Sequence, residues 1–481
     1  MSRLFLAVIF VILVACTDEN QDTPSVDQET SGNTPDPTSM GSSLAFTDAA
    51  EDFGLDFHFS HGGSGRKLFI EISAGGVGIF DYDGDGWPDI YCVNGAPTAG
   101  YEGPPLRNAL FRNRGDGTFT EVAEKADIAD TGYGCGLAVG DIDGDGDLDL
   151  YIANVGEDAL YVNQGDGTFS RATDRGIAGD LWSSSATFFD YDLDGDLDLY
   201  VCHYCDYDLK DPPRCLSPSG RLDYCNPGDY NGIPDKLYRN DGQGHFEDVT
   251  AAAKVGDPLG RGFGVVAGDF DDDGDPDIYV ANDQGRNNLY RNDGDGTFTD
   301  IGLYCGVGYG VDGKAEAGMG VDFGDFDGDG RLDLVVTNFA NETNSLYRNL
   351  GEGLFADETL ARGLGEPTAR PLAFGGGFLD GDSDGDLDLY FACGHVLDTV
   401  DMDGQGQTFA QRDILLENRG GRFLDVSASA GTAFAPKRVG RAAAFGDLDL
   451  DGDIDIAVSH FDGPLAIYRN DTTGPGHTLS L

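Results

Sequence analysis

Four aspartates and a glycine recur at fixed positions in this chain. The stretch Asp141-Ile142-Asp143-Gly144-Asp145-Gly146-Asp147-Leu148-Asp149 reads D-x-D-x-D-G-x-x-D, and the pattern occurs seven times. Positions 1, 3, 5 and 9 are Asp81, Asp83, Asp85 and Asp89 in the first copy and Asp141, Asp143, Asp145 and Asp149 in the second. They are Asp190, Asp192, Asp194 and Asp198 in the third, then Asp269, Asp271, Asp273 and Asp277 in the fourth. The last three copies hold Asp325, Asp327, Asp329 and Asp333; Asp380, Asp382, Asp384 and Asp388; and Asp447, Asp449, Asp451 and Asp455. Hard oxygens at alternate positions, with Gly at position 6 for the sharp turn, are the donor set of a short loop that wraps Ca²⁺. Asp at position 9 offers a further carboxylate and position 7 a carbonyl. Mg²⁺ fits less well, because it favours fewer protein oxygens and a strict octahedron. Without a cation, four crowded carboxylates would repel one another.

An EF-hand is the nearest competitor, but it needs flanking helices and Glu at position 12. Position 12 is instead Cys92, Ile152, Val201, Val280, Val336, Phe391 or Val458. What flanks the loops is strand. A Gly-rich apolar run such as Gly262-Phe263-Gly264-Val265-Val266 precedes each, and a run apolar on both alternating sets, such as Asp277-Ile278-Tyr279-Val280-Ala281-Asn282, follows. The second run reads as a strand buried on both faces. A third strand recurs as Leu-Tyr-x-Asn, for example Leu289 to Asn292, and a Gly/Asp-rich turn leads to a fourth, Phe-x-Asp/Glu. Four antiparallel strands per repeat make a β-propeller blade, so the expected fold is all-β, a seven-bladed propeller over residues 44–471. The fourth-strand signal follows only six of the loops; the seventh is Phe46-Thr47-Asp48, ahead of the first loop. Residues 45–48 are therefore expected to complete the last blade and remove its exposed edge. Each loop joins two strands of its own blade, so up to seven Ca²⁺ would act structurally.

The 481 residues carry a formal charge of −56, yet 40% are hydrophobic, which argues against disorder. Nucleic acid is not an expected partner of so acidic a surface. Residues 1–15 contain Arg3 and an apolar run from Leu4 to Val14, too short to span a bilayer and read as a signal peptide. The run Leu13-Val14-Ala15-Cys16 resembles a bacterial lipobox, which implies lipidation of Cys16 and export to the outer membrane or cell surface. Residues 16–43, poor in apolar side chains, read as a flexible tether, so the membrane would be met only through the lipid. The chain is expected to be monomeric.

The loops resemble the FG-GAP/VCBS repeats of integrin α-chain propellers. The runs Phe46-Thr47-Asp48…Gly54-Leu55-Asp56-Phe57 and Gly75-Gly76-Val77-Gly78-Ile79-Phe80-Asp81-Tyr82-Asp83 are similar to bacterial relatives of cartilage acidic protein, the ASPIC/UnbV group. The resemblance implies Ca²⁺ binding and extracellular interaction without catalytic residues. That group usually continues into a C-terminal ASPIC/UnbV domain, which would begin at the tail 472–481, so functions tied to that domain are not carried over. Cys202, Cys205, Cys215 and Cys225 lie in or beside an insertion at 202–235, at spacings that resemble a zinc ribbon; in an exported protein disulfides are the stronger reading. The resemblance implies the pair Cys215–Cys225.

Long connections, Gly95 to Arg107, Tyr204 to Lys236 and Gly394 to Asp413, would fall on the face opposite the acidic loops. Arg66, Lys67, Arg261, Lys314, Arg370, Lys437, Arg438 and Arg441 gather there. They suggest a basic mouth for an anionic glycan or a protein, against a purely structural role bridging blades through carbonyls and acidic neighbours. The leading reading is thus a binding or adhesion module. The alternative is a Ca²⁺-dependent polysaccharide lyase or hydrolase, but His58, His61, His203, His395 and His460 belong to no catalytic motif.

Overall fold

The computed structural model describes residues 44–473, apart from 74, 178, 218–219 and 403–405. The segment read as a signal peptide, Cys16, the whole tether and most of the C-terminal tail lie outside the described residues. No helix among the described residues is long and apolar enough to cross a membrane.

The protein is all-β with a few single-turn helices. Among the described residues, seven sets of four antiparallel strands recur along the chain. Sheet 1 comprises Gly76–Phe80, Asp89–Val93, Ala109–Asn113 and Phe119–Glu121. Sheet 2 comprises Tyr133–Gly140, Asp149–Glu157, Ala159–Asn163 and Phe169–Ala172, and sheet 3 Asp180–Phe189, Asp198–His203, Lys236–Asn240 and Phe246–Asp248. Sheets 4, 5 and 6 open with Gly262–Gly268, Val321–Gly324 and Ala373–Leu379. Sheet 7 holds Gly440–Gly446, Asp455–His460 and Ala466–Asn470. Its fourth strand is Phe46–Asp48, which pairs antiparallel with Ala466–Asn470. Thr472 belongs to the same junction, since its hydroxyl accepts from Ala45 N–H. Sheets 2 and 3 are joined where Asp180–Trp182 pairs with Val155–Glu157, and Glu316–Ala317 adds a fifth strand to sheet 4.

The acidic loops turn between the first and second strands of each sheet, and the second strands are buried apart from the ends of the two longest, at Glu157 and at Gln284 and Gly285, as their two-sided apolar pattern requires. The glycines of the first strands answer to close approach. A Cβ at Gly264 would stand 2.0 Å from the Met319 carbonyl of the next sheet, and one at Gly136 2.8 Å from that of Ser184. First strands from all seven sheets line one shared cavity of about 250 Å³.

Polar side chains tie each sheet to its neighbour. The Asn that ends every third strand donates its side-chain N–H to the position-2 carbonyl of the preceding sheet's acidic loop. Asn163 reaches Tyr82, Asn240 reaches Ile142, and Asn292 reaches Tyr191. Asn349 reaches Phe270, Asn418 reaches Phe326, and Asn470 reaches Gly381. Asn113 of sheet 1 reaches Leu448 of sheet 7. A second repeated device lies at the other end of the sheets. Asp158 and Asp235 each accept a tyrosine O–H (Tyr151, Tyr200) and a backbone N–H of their second strand (Asn154, His203); Asn108 takes the same place beside Tyr91.

The connection before sheet 1 was not read as structure in the sequence. Its short 3₁₀ turn Phe69–Ile72 is wholly buried, with the Phe69 ring stacked on Tyr204 and Tyr230 and edge-on to Trp182. The insertion of sheet 3 starts later than expected, because Cys202 and His203 belong to a strand. A Cys215–Cys225 disulfide closes it, and Cys202 and Cys205 are buried free thiols.

Candidate functional site

Each acidic loop is built by its own aspartates before any ion is considered. The position-1 carboxylate accepts the N–H groups of positions 5 and 6, as Asp81 does from Asp85 and Gly86. The position-5 carboxylate accepts the position-7 N–H, as Asp85 does from Trp87. Position 9 is fully buried: Asp89 takes the N–H of Tyr82 with one oxygen and that of Asn113 with the other. The same two bonds recur at Asp149, Asp198, Asp277, Asp333, Asp388 and Asp455. Position 9 thus ties the loop to the third strand besides offering oxygens to a cation.

Position 3 differs. Oδ1 of Asp83, Asp143, Asp192, Asp271, Asp327 and Asp449 is buried and has no hydrogen-bond partner. Such an oxygen costs free energy unless a cation meets it. Oxygens of Asp81, Asp83 and Asp85 lie within 4.8 Å of one another, as do those of Asp141, Asp143 and Asp149, of Asp190, Asp192 and Asp194, and of Asp269, Asp271 and Asp273. Burial, followed by the neighbouring position-5 carboxylate, raises the pKa of Asp83, Asp143, Asp192, Asp271 and Asp449. Burial pushes Asp89, Asp149, Asp198 and Asp333 up to about 7, and Asp277, Asp388 and Asp455 up to about 8. A bound cation would favour the ionised forms. The donor set therefore fits a hard divalent ion, with the repeated orphan oxygen as the specific sign. Two loops carry partial compensation, since Arg112 pairs with Asp83 and Asp85, and Arg348 with Asp327 and Asp329.

The residues expected at a basic mouth meet different partners. Arg441 follows the structural alternative: it is 4% exposed, bonded to four backbone carbonyls and packed against Phe374 and Phe461. Arg438 pairs with Asp48 at 2.6 Å, Lys67 with Asp398 at 2.5 Å, and Lys314 with its neighbour Asp312. Arg261 donates to the Tyr230 carbonyl, and Arg66 is half-buried. Only Arg370 and Lys437 come together, on a cleft of about 490 Å³ that also receives Arg412. Sequence reading missed Arg412, which no motif marks.

Among the described histidines, His58 pairs through a β-bridge with Pro464, whose carbonyl His460 Nδ1 also meets. Burial lowers the pKa of His203, to about 4, and of His460, and both sit at strand ends. His61 stacks on Phe461, with Nδ1 2.8 Å from Asp462.

The FG-GAP-like repeat matches at residues 81–152, 141–201, 219–280, 269–336 and 325–391. Cartilage acidic protein 1 of Xenopus tropicalis is 26% identical over 421 residues, covering 82% of this chain and 59% of the relative. The Homo sapiens protein of that name is 26% identical over 430 residues, covering 82% and 58%. This chain thus spans less than two thirds of the length of either relative. The structure of BBS1N in complex with ARL6DN overlaps 90% of this chain and 99% of its own, at 12% identity and a TM-score of 0.47. With its repeat matches falling on the acidic loops and the strands around them, the chain belongs to the FG-GAP-like repeat family.

Proposed function

We propose that this chain is a closed seven-bladed propeller, held by Ca²⁺ in its acidic loops, that binds an anionic glycan or an acidic protein surface outside the cell. Closure is supported by the pairing of Phe46–Asp48 with the last sheet and by the Asn113–Leu448 hydrogen bond. Calcium is supported by the buried position-3 oxygens that lack any donor. Export and attachment through Cys16 rest on the sequence of residues 1–16.

One observation carries the binding assignment. In a chain of charge −56, Arg370, Arg412 and Lys437 converge on the 490 Å³ cleft that Thr408, Gln411 and Ser427 also line, against two carboxylates: Asp413, which accepts from Cys393 N–H and Tyr468 O–H, and Asp425, which accepts from Ser427. Cations gathered against the sign of the whole protein form a local attractor for anions, and the flanking hydroxyl and amide groups can orient sugar oxygens. The test is an array of sulfated and uronate polysaccharides probed with Ca²⁺-loaded protein and with an Arg370→Glu/Lys437→Glu variant. Binding that the variant loses supports the reading; no binding, or binding that survives the reversal, contradicts it. Release of unsaturated or reducing sugar ends would instead favour a lyase or hydrolase.

A further inference from the structure

Arg441 presents an electrostatic problem that the acidic loops do not share. Its guanidinium is buried and forms no ion pair among the described residues, in a protein with a large excess of carboxylates. Nε donates to Ile72, Nη1 to Gly394 and Gly440, and Nη2 to His395, so four of the five N–H groups meet carbonyls and one on Nη2 does not. Carbonyl dipoles offset part of the cost of burying this charge but supply no counter-ion. Desolvation lowers its pKa to about 9, which still leaves it charged at neutral pH.

The surroundings supply the rest of a site. Arg441 lines the 250 Å³ cavity shared by the first strands. Ser73, next to the residue whose carbonyl Arg441 holds, lines the same cavity, and its Oγ is buried without a partner. Ser73, Phe263, Met319 and Phe374 are common to this cavity and to a second one of about 170 Å³, so the two adjoin. The second is lined by the rings of Phe69, Tyr204, Tyr224, Phe339 and the shared phenylalanines, with a polar side at Asn226, Gln284 and Asp283, whose carboxylate accepts the Tyr204 O–H. An apolar cavity of roughly 150 Å³ is enough to hold one benzene ring.

We propose that these adjoining cavities bind a small carboxylic acid with a flat apolar body, its carboxylate at Arg441 and Ser73 and its body among the aromatic rings. The anion supplies the counter-charge that Arg441 lacks, and the carboxylate accepts from the remaining Nη2–H and from the Ser73 hydroxyl. The aromatic walls favour a planar apolar body over a sugar ring dense in hydroxyls, which would leave polar groups unpaired. This site is separate from the Arg370–Lys437 cleft and does not depend on what that cleft binds.

The test is calorimetric titration of the Ca²⁺-loaded full chain with benzoate, benzamide and glucuronate. Saturable one-to-one binding of benzoate is expected, with uncharged benzamide at least about tenfold weaker and glucuronate not bound. Ser73→Ala should weaken benzoate severalfold, and Phe263→Trp, which intrudes on the wall common to both cavities, should abolish binding while far-ultraviolet circular dichroism stays unchanged. Failure of benzoate to saturate, equal affinity for benzoate and benzamide, or full affinity in both variants would overturn the proposal and leave Arg441 as a structural tie alone. Because the Arg370→Glu/Lys437→Glu variant keeps this site intact, loss of polysaccharide binding there with benzoate binding retained separates the two proposals.

Discussion

Asn113 in the first sheet donates its side-chain N–H to the carbonyl of Leu448 in the last, at 2.8 Å, across 335 residues of sequence. The same amide donates to Pro88, and its oxygen accepts from Gly115. One buried side chain thus joins its own acidic loop, its own turn and the loop of the sheet at the far end of the chain. Six equivalent asparagines join consecutive sheets in the same way.

If the first and last sheets are neighbours as firmly as consecutive ones, Asn113→Ala should cost about 2–4 kcal/mol, since it strands buried carbonyls at Leu448 and Pro88. Asn292→Ala, which cuts an internal link, should cost a similar amount. Urea unfolding of both variants checks this. A near-neutral Asn113→Ala beside a costly Asn292→Ala would show that the terminal sheets are only loosely joined.

Asp235 gives a pH prediction independent of the metal loops. Burial raises its pKa to about 7 from an ordinary value of 3.8, although His203 N–H and Tyr200 O–H both bond to it. A raised carboxylate favours the fold below its unfolded pKa, and that contribution is lost as pH rises through the folded value. Relative to Asp235→Asn, the wild type should therefore lose stability between about pH 4 and pH 7. The replacement has a precedent within the molecule, because Asn108 occupies the equivalent place in sheet 1 and bonds both its partners. Urea midpoints at pH 5 and pH 8 decide the matter; a difference between the two proteins that does not change with pH would contradict it.

The acidic loops were legible in the sequence because their chemistry needs particular residues at particular positions, and the N-terminal strand was legible because Phe46-Thr47-Asp48 repeats a pattern otherwise missing once. Asn113 and its equivalents were visible only as strand markers. Their partners are backbone carbonyls, which leave no signature in residue types. For Arg441 the sequence left two readings open, an exposed mouth or a tie through backbone carbonyls, and the four carbonyls and two aromatic rings around it match the second. Arg412 went unnoticed because only the packing of distant segments brings it beside Arg370 and Lys437.

The cysteine pattern predicts a thiol count. Cys215 and Cys225 are joined, while Cys92, Cys135, Cys202, Cys205, Cys305 and Cys393 are free and buried. Alkylation of a form of the protein that starts after Cys16, in denaturant without reductant, should label six cysteines, and eight after reduction. Native protein should resist labelling, because burial raises the thiol pKa of all six. Four labelled thiols before reduction would indicate a second disulfide.

The most direct test of calcium as the element that holds the loops is a pair of melts on the same preparation, one stripped with EDTA and one reloaded at about 1 mM Ca²⁺, with bound metal counted by mass spectrometry. At a concentration 100-fold above Kd, each occupied site adds roughly 2.7 kcal/mol. The account predicts up to seven ions per chain, a stripped protein that melts far lower, and full recovery on reloading. A stripped protein that melts at the same temperature, or a chain that takes up no Ca²⁺, would contradict it.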